Sequence, residues 1–145
     1  MIPIRRFKIG KLVRDKMPER MEKLGGWVEI IHSLDPDAHV HHLKLKLKEE
    51  AEEVCQADNP KELKEEIADV LEVLYALSKK FGLRWDHIEK ERLQKRDNRG
   101  GFKKGNFVEF VQVEVGEGED HPIVQYCLEN PDKYPEIFDF ESEVA

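Results

Sequence analysis

The chain has 145 residues and a formal net charge of −7, with 38% charged and 39% hydrophobic residues. This length and apolar content suit one domain with a hydrophobic core and exclude a fully disordered chain. The acidic balance argues against general binding to nucleic acid, and no apolar run reaches the length of a membrane span. We therefore expect neither a stable nucleic-acid partner nor a membrane partner.

The two cysteines, Cys55 and Cys127, lie far apart and form no Cys-x-x-Cys pair. From this cysteine usage we expect no disulfide framework, and we expect a reducing, cytoplasmic location. The first residues also lack the apolar stretch of a signal peptide, which agrees with a cytoplasmic protein.

The N-terminal part predicts a short helix followed by a short strand. Asp15 can cap a helix that has Pro18 in its first turn and runs to about Leu24, where a glycine pair ends it. Residues 27–32 are rich in β-branched and aromatic side chains and roughly alternate, which predicts a strand.

Two long helices are predicted next, over residues 38–57 and 61–80. In each, the apolar residues fall within one arc when successive residues are placed about 100° apart. Asn59 can cap the second helix, and Pro60 suits its first position. The short break between the helices favours an antiparallel pair.

Four shorter elements complete the pattern. They are a helix from Asp86 to about Arg96, a glycine-containing loop over 98–102, a strand over 107–115 and a short helix over 123–128. The second strand could pair with the first.

The predicted fold is therefore all-α, an antiparallel bundle of about four helices with a small accessory β-hairpin or strand pair. Residues 1–108 would form the main domain. Residues 109–145 would add a strand and an acidic extension of unknown role, packed on the same domain.

Carboxylates occupy positions where the two long helices should be apolar. Glu50 with Glu53, and Glu66 with Asp69, are spaced i, i+3, and Glu50 and Glu66 lie at the margin of the apolar arcs. Facing helices would bring the four carboxylates together, and such a cluster needs hard cations. Oxygen ligands without Cys or His favour Mg²⁺ or Mn²⁺ over Zn²⁺. The alternative is that these carboxylates are solvated, as on many Glu-rich helices.

Basic residues offer a partner for anions. Lys95-Arg96 and Arg99-Gly100-Gly101 place cations and a flexible backbone after the last core helix, where guanidinium and amide groups can hold a phosphate. Lys11, Arg14 and Lys16 form a second basic cluster. For both sets, a solvated surface is the alternative.

Two further sets of residues are expected to be surface or packing residues rather than parts of a functional site. His39 and His42 are i, i+3 neighbours that could bind a metal, but they have no third ligand nearby, so a surface cluster with His41 at the helix start is favoured. Three aromatic residues could stack on a base, although packing is the expected role; they are Trp27, Tyr75 and Trp85.

Four segments occur in an order that resembles a known family. They are KLVRDKMP at 11–18, Glu49-Glu50-x-x-Glu53, Glu66-x-x-Asp69 and Lys95-x-x-x-Arg99-Gly100-Gly101-Phe102. The chain resembles the MazG-like all-α nucleoside-triphosphate pyrophosphohydrolases over roughly residues 7 to 108. Within them it is most similar to the phosphoribosyl-ATP-pyrophosphohydrolase-like house-cleaning branch. The acidic motifs define the superfamily, and the first and last segments are more specific to the branch.

The resemblance implies a helical homodimer or dimer of dimers. It also implies Mg²⁺-dependent cleavage of a nucleoside triphosphate between its α- and β-phosphates, giving a nucleoside monophosphate and pyrophosphate, with Mn²⁺ as an alternative metal. The implied metal ligands are Glu50, Glu53, Glu66 and Asp69. The implied catalytic residues are Glu49, Glu50 and Glu53, with Glu49 as an outer ligand or as the residue that orients the water. The implied phosphate-binding residues are Lys95, Arg99, Arg14, Lys16 and Asn98.

Two other functions stay open at this point. One is the histidine-pathway enzyme that acts on phosphoribosyl-ATP itself, against which the KLVRDK segment and the tail count. The other is a non-enzymatic helical interaction module whose acidic pairs only bind counter-ions. Glu50→Gln or Asp69→Asn separates these classes, because a hydrolase would lose activity whereas a module would keep its partner.

Overall fold

A computed structural model describes residues 2–30, 34–116 and 121–138, and in these ranges it contains five α-helices and no strand. The chain divides into two compact units, Met1–Gly100 and Gly101–Ala145. The helical class that the sequence predicts is confirmed. Within the described residues, no helix combines the length and the apolarity that crossing a bilayer requires.

The first helix, α1, spans Met17–Lys23 and begins one residue later than expected. Its N-cap is Lys16 rather than Asp15, and no side chain caps the first turn. Pro18 lies in that turn as predicted. Proline suits this position because the first N–H groups of a helix have no acceptor within the helix, so the missing N–H of proline costs no hydrogen bond. Gly25 follows the helix with a φ of 87°, a conformation that favours glycine.

The two long helices are α2, Pro36–Gln56, and α3, Pro60–Lys80. The Asp35 carboxylate caps α2 by accepting a hydrogen bond of 2.8 Å from the Ala38 amide. The Asn59 side chain caps α3 by accepting from the Lys61 and Glu62 amides, as predicted. The two helices pack against each other, and the link of only three residues makes them an antiparallel pair.

The fourth helix, α4, spans Trp85–Arg99, so it is longer than the sequence indicates at its C-terminal end. Arg84 is the N-cap, and Asp86 lies inside the first turn, where it accepts two hydrogen bonds from the Arg84 guanidinium. The predicted loop over 98–102 is wrong for Asn98 and Arg99, which belong to the helix. The chain leaves the helix at Gly100, whose φ is 82°.

The packed centre of the first unit is small. Leu43 of α2 and Val73 of α3 are the buried apolar side chains of the described residues, with 5% and 7% exposure. Tyr75 and Trp85 add a stacked aromatic pair with ring centroids 4.0 Å apart. Because these two rings face each other, the structure supports their interpretation as packing residues.

The second unit contains α5, Pro122–Leu128, close to the predicted short helix. The His121 ring nitrogen accepts a hydrogen bond from the Ile123 amide and caps this helix. The rings of Tyr126 and Tyr134 lie 5.5 Å apart. The predicted boundary at residue 108 stays a prediction.

The predicted strand pair is not seen in the described residues. Residues 27–30 and 107–115 are described, and none of them adopts strand structure or makes a hydrogen bond between its backbone and that of another described residue. Residues 31 and 32 of the first predicted strand lie outside the described residues. An alternating pattern needs a partner strand and a covered face, whereas Trp27 is 89% and Phe107 92% exposed.

Candidate active site

The pairing of α2 and α3 brings three carboxylates together. One oxygen each from Glu50, Glu53 and Glu66 lies within 4.8 Å of the other two, and we call these residues the acidic cluster. Glu50 and Glu53 come from α2, one turn apart, and Glu66 comes from the facing helix. The i, i+3 spacing and the antiparallel pairing together explain why these side chains meet.

Burial differs among the three carboxylates. Glu50 is buried, with 5% exposure, whereas Glu66 is half-buried and Glu53 is exposed. The Oε2 atom of Glu66 is buried and has no hydrogen-bond partner. A buried carboxylate oxygen without a partner is costly, so the cluster lacks a group that would bind this atom.

The three carboxyl groups perturb one another. A hydrogen bond with the Glu50 carboxyl raises the pKa of Glu53 above its ordinary value, and burial, the charge of Glu50 and the neighbouring Glu66 raise it further. Like charges this close disfavour full ionisation, and a bound cation would relieve the strain. An orphaned oxygen and a donor set made only of carboxylates therefore fit a hard divalent cation.

Asp69, the fourth predicted ligand, is not a member of the acidic cluster. Its carboxylate forms an ion pair with the Arg14 guanidinium. The side chains are 38% and 55% exposed, so water screens this pair and its contribution to stability is small. The structure thus gathers three of the four predicted metal ligands and gives the fourth a basic partner.

Glu49 lies beside the acidic cluster but outside it, in ion pairs with Lys11 and Lys46. The hydrogen bond from the Lys11 ammonium lowers the pKa of the Glu49 carboxyl, and Lys46 lowers it further. Glu49 is therefore an ionised hydrogen-bond acceptor at neutral pH, next to the carboxylates that fit a cation.

The N-terminal segment contributes to this region. Lys11 reaches Glu49 of α2, and Arg14 reaches Asp69 of α3, so two members of the predicted basic cluster contact predicted site residues. Lys16, the third member, is exposed at the start of α1. Sequence analysis could not pair these residues, because 38 and 55 positions separate the partners.

The basic residues of α4 are not joined to the acidic cluster by any described hydrogen bond or ion pair. Lys95 pairs with Glu91 of its own helix at 3.6 Å, and Asn98 and Arg99 are exposed at the helix end. Two concave surfaces, both open to solvent, lie along α4. Neither is lined by a residue of the acidic cluster, although Lys95, a predicted phosphate-binding residue, lines the second.

The histidines form no site with the acidic cluster. His41 and His42 contact edge to face, with ring centroids 5.6 Å apart. In the described ranges, no group of three metal-binding side chains includes His39, His41 or His42. His41 is exposed, and His39 and His42 are half-buried in the first turns of α2.

Sequence reasoning missed Lys46. Its ammonium lies 2.7 Å from Glu50 Oε1 and 3.3 Å from Glu49 Oε1. Burial lowers the pKa of Lys46, but the hydrogen bonds to Glu50 and Glu49 outweigh this effect and raise it above the ordinary value. The available signal was the spacing, since Lys46 precedes Glu50 by four residues and therefore shares its helix face.

Glu53→Gln should stabilise the protein in the absence of divalent metal. The pKa of Glu53 is raised in the folded state, so the protonated carboxyl stabilises the fold at acidic pH. This stabilisation is lost as the pH rises through the folded-state pKa. At neutral pH the neutral amide should raise the melting temperature in chelator by a few degrees, and it should reduce the further rise caused by Mg²⁺. Scanning calorimetry measures both changes.

Glu52→Gln is the matched control, since Glu52 is exposed on the same helix and outside the acidic cluster. It should leave both melting temperatures nearly unchanged. A lower melting temperature for Glu53→Gln in chelator would contradict the repulsion that we infer.

A comparison with protein-family models matches residues 32–97 to the family described as phosphoribosyl-ATP pyrophosphohydrolase. The matched range contains α2, α3 and most of α4, and it includes the whole acidic cluster. A search of curated proteins and a search of solved structures each found no match.

Members of the matched family are pyrophosphohydrolases, which are hydrolases acting on phosphoric anhydrides. MazG-like enzymes of this kind typically depend on a divalent metal. Residues 32–97, slightly less than half of the chain, thus match a family that belongs to the MazG-like nucleotide pyrophosphohydrolase superfamily.

Proposed function

We propose that this protein is a Mg²⁺-dependent pyrophosphohydrolase that cleaves a nucleoside triphosphate between the α- and β-phosphates. The products would be a nucleoside monophosphate and pyrophosphate, and the role would be house-cleaning of the nucleotide pool. The observation that carries the proposal is the acidic cluster with its orphaned Glu66 oxygen, inside the matched range. The two free cysteines support the cytoplasmic location that the sequence predicts.

The acidic cluster would hold the metal. Glu50, Glu53 and Glu66 supply the oxygen ligands, and Asp69 could join them once Arg14 releases it. Carboxylates favour Mg²⁺, or Mn²⁺ in its place, over softer metals. When bound there, a divalent cation polarises phosphoryl oxygens and neutralises the charge that builds up in phosphoryl transfer.

The chain's own residues would orient the other reactants. Glu49 is ionised beside the acidic cluster, so its carboxylate can accept a hydrogen bond from the attacking water and hold it in place. Lys11 and Arg14 donate to carboxylates in this structure and can exchange those oxygens for phosphate oxygens. Lys16 follows them along the same segment. Lys95, Asn98 and Arg99 lie at the end of α4 and offer a second set of phosphate donors.

Phosphoribosyl-ATP is the second candidate substrate, and the description of the matched family favours it. It contains the same anhydride bond, so the same carboxylates would serve. A nucleoside triphosphate is favoured by the contribution of Lys11 and Arg14. Both residues contact predicted site residues, and both lie outside the matched range.

A pyrophosphate-release screen tests the proposal. The full chain is incubated with canonical and modified nucleoside triphosphates and with phosphoribosyl-ATP, in Mg²⁺, in Mn²⁺ and in chelator. We expect metal-dependent release from at least one triphosphate, with the monophosphate as the second product. Release from phosphoribosyl-ATP alone would establish the second candidate. No release from any substrate would leave the interaction module as the better explanation.

We also propose that the protein acts as a homodimer or a dimer of dimers. An apolar stripe with a four-residue repeat follows one side of α3 and is 38 to 46% exposed; it consists of Leu63, Ile67, Leu71 and Tyr75. A stripe of this kind is typical of a helix that packs against another chain.

Leu71→Asp should shift the protein to the monomer, because a carboxylate in an apolar interface loses its hydration. Sedimentation equilibrium measures the change in mass. Leu24→Asp is the control, since Leu24 is 89% exposed, lies just after α1 and is not part of the stripe. A monomeric unaltered chain would contradict the proposal.

A further inference from the structure

Lys46 has the least exposed basic side chain among the described ion pairs of this protein. Its side chain is 18% exposed, compared with 50% for Lys11, 72% for Lys23 and 59% for Lys95. Its main partner, Glu50, is 7% exposed at the side chain. A charge pair this buried interacts more strongly than the screened surface pairs of the chain.

The position of Lys46 on α2 fixes its ammonium at the acidic cluster. The four-residue spacing to Glu50 places both side chains on one helix face, and the distance between Lys46 Nζ and Glu50 Oε1 is 2.7 Å. A half-buried lysine loses a favourable partner when its ammonium leaves the carboxylate, which favours a position of Lys46 close to the cluster.

The charges of the acidic cluster show what Lys46 does there. Of the three carboxylates, only Glu50 has a described basic partner, and Glu66 retains an oxygen without any partner. Three ionised carboxylates carry −3, and the Lys46 ammonium reduces this to −2, which equals the charge that one divalent cation neutralises. Lys46 is thus a cation already present where a metal would bind.

We propose that Lys46 is a positioning residue that sets the affinity of the acidic cluster for a divalent cation. Its ammonium stabilises Glu50 when no metal is bound, and it repels a metal that binds to the same carboxylates. Both effects lower the affinity, because the first favours the metal-free state and the second disfavours the metal-bound state. This inference rests on the metal site of the proposed function.

Isothermal titration of MnCl₂ and of MgCl₂ into the full chain tests the role of Lys46. Lys46→Gln keeps a hydrogen-bond donor but removes the charge, and we expect it to bind Mn²⁺ about tenfold more tightly than the unaltered chain. Lys46→Arg keeps the charge and should bind with nearly unchanged affinity. Lys44→Gln is the matched control, because Lys44 is exposed on the same helix and has no described ion pair.

The outcomes separate this inference from the proposed function. A structural role alone would lower the melting temperature of Lys46→Gln without tightening metal binding, and that result would overturn the role of Lys46. A clear gain in divalent-cation affinity for Lys46→Arg would also overturn the role of Lys46. Lys46→Arg therefore keeps the inference testable even when Lys46→Gln does not fold. Absence of divalent binding by the unaltered chain would instead overturn the proposed metal site.

Discussion

Glu50→Gln should reduce metal-dependent pyrophosphate release by at least about 100-fold, the scale of losing one group that stabilises charge in a transition state. Glu50 is the most buried carboxylate of the acidic cluster, and it has Glu53, Glu66 and Lys46 as close neighbours. The amide is nearly isosteric, so it keeps an acceptor for Lys46 while it removes the charge that a metal requires. Initial rates of pyrophosphate release at saturating Mg²⁺ measure the loss.

Two controls make the result of Glu50→Gln specific. Glu52→Gln changes an exposed carboxylate two residues away and should retain full activity. Circular dichroism of Glu50→Gln should show an unchanged helix content, which excludes unfolding as the cause of the loss. Activity close to that of the unaltered chain would contradict a metal site at Glu50.

Leu43→Ala should lower the free energy of unfolding by about 2–5 kcal/mol, the range for truncating a buried Leu. Leu43 and Val73 are the buried apolar side chains of the described residues, one on each long helix. Few other side chains could compensate for a cavity between these helices. Urea denaturation, followed by circular dichroism, measures the change.

Leu45→Ala is the matched control for this prediction. Leu45 lies two residues away on α2 and is 45% exposed, so its truncation should change the free energy of unfolding by less than about 1 kcal/mol. Equal losses for the two variants would contradict the inference that Leu43 anchors the helix pair. A large loss for Leu43→Ala alone would support it.

The two long helices could be predicted because their signals are local. Asn59 and Pro60 act on the first turn of α3, and an apolar arc recurs along each helix. The facing positions of Glu50 and Glu66 follow from the same spacing, and the structure brings them together with Glu53. Most of the acidic cluster can thus be predicted from the sequence alone.

The predicted strands failed because strand formation depends on a partner that the sequence pattern does not reveal. Residues 27–30 and 107–115 have the right composition, but the described backbone gives neither segment a ladder. The helix end at Arg99 was misjudged for a related reason. Gly100 can end a helix, but a glycine does not indicate whether the two residues before it, Asn98 and Arg99, are still helical or already in a loop.

The partners of the site residues were the least predictable part. Arg14 and Asp69 are 55 positions apart, and no periodicity connects the N-terminal segment with α3. The basic segment was predicted to bind phosphate, whereas in this structure Lys11 and Arg14 bind carboxylates. Lys46 was accessible in principle, because its spacing to Glu50 places it on the same face of α2.

Anomalous diffraction from crystals grown with Mn²⁺ tests most directly the proposal that Glu50, Glu53 and Glu66 hold a catalytic divalent cation. We predict a manganese peak within about 2.0–2.6 Å of carboxylate oxygens from these three residues, the range for hard cations with oxygen ligands. The peak should disappear when Mn²⁺ is removed with chelator. A fully occupied peak elsewhere, with none at the acidic cluster, would contradict the account.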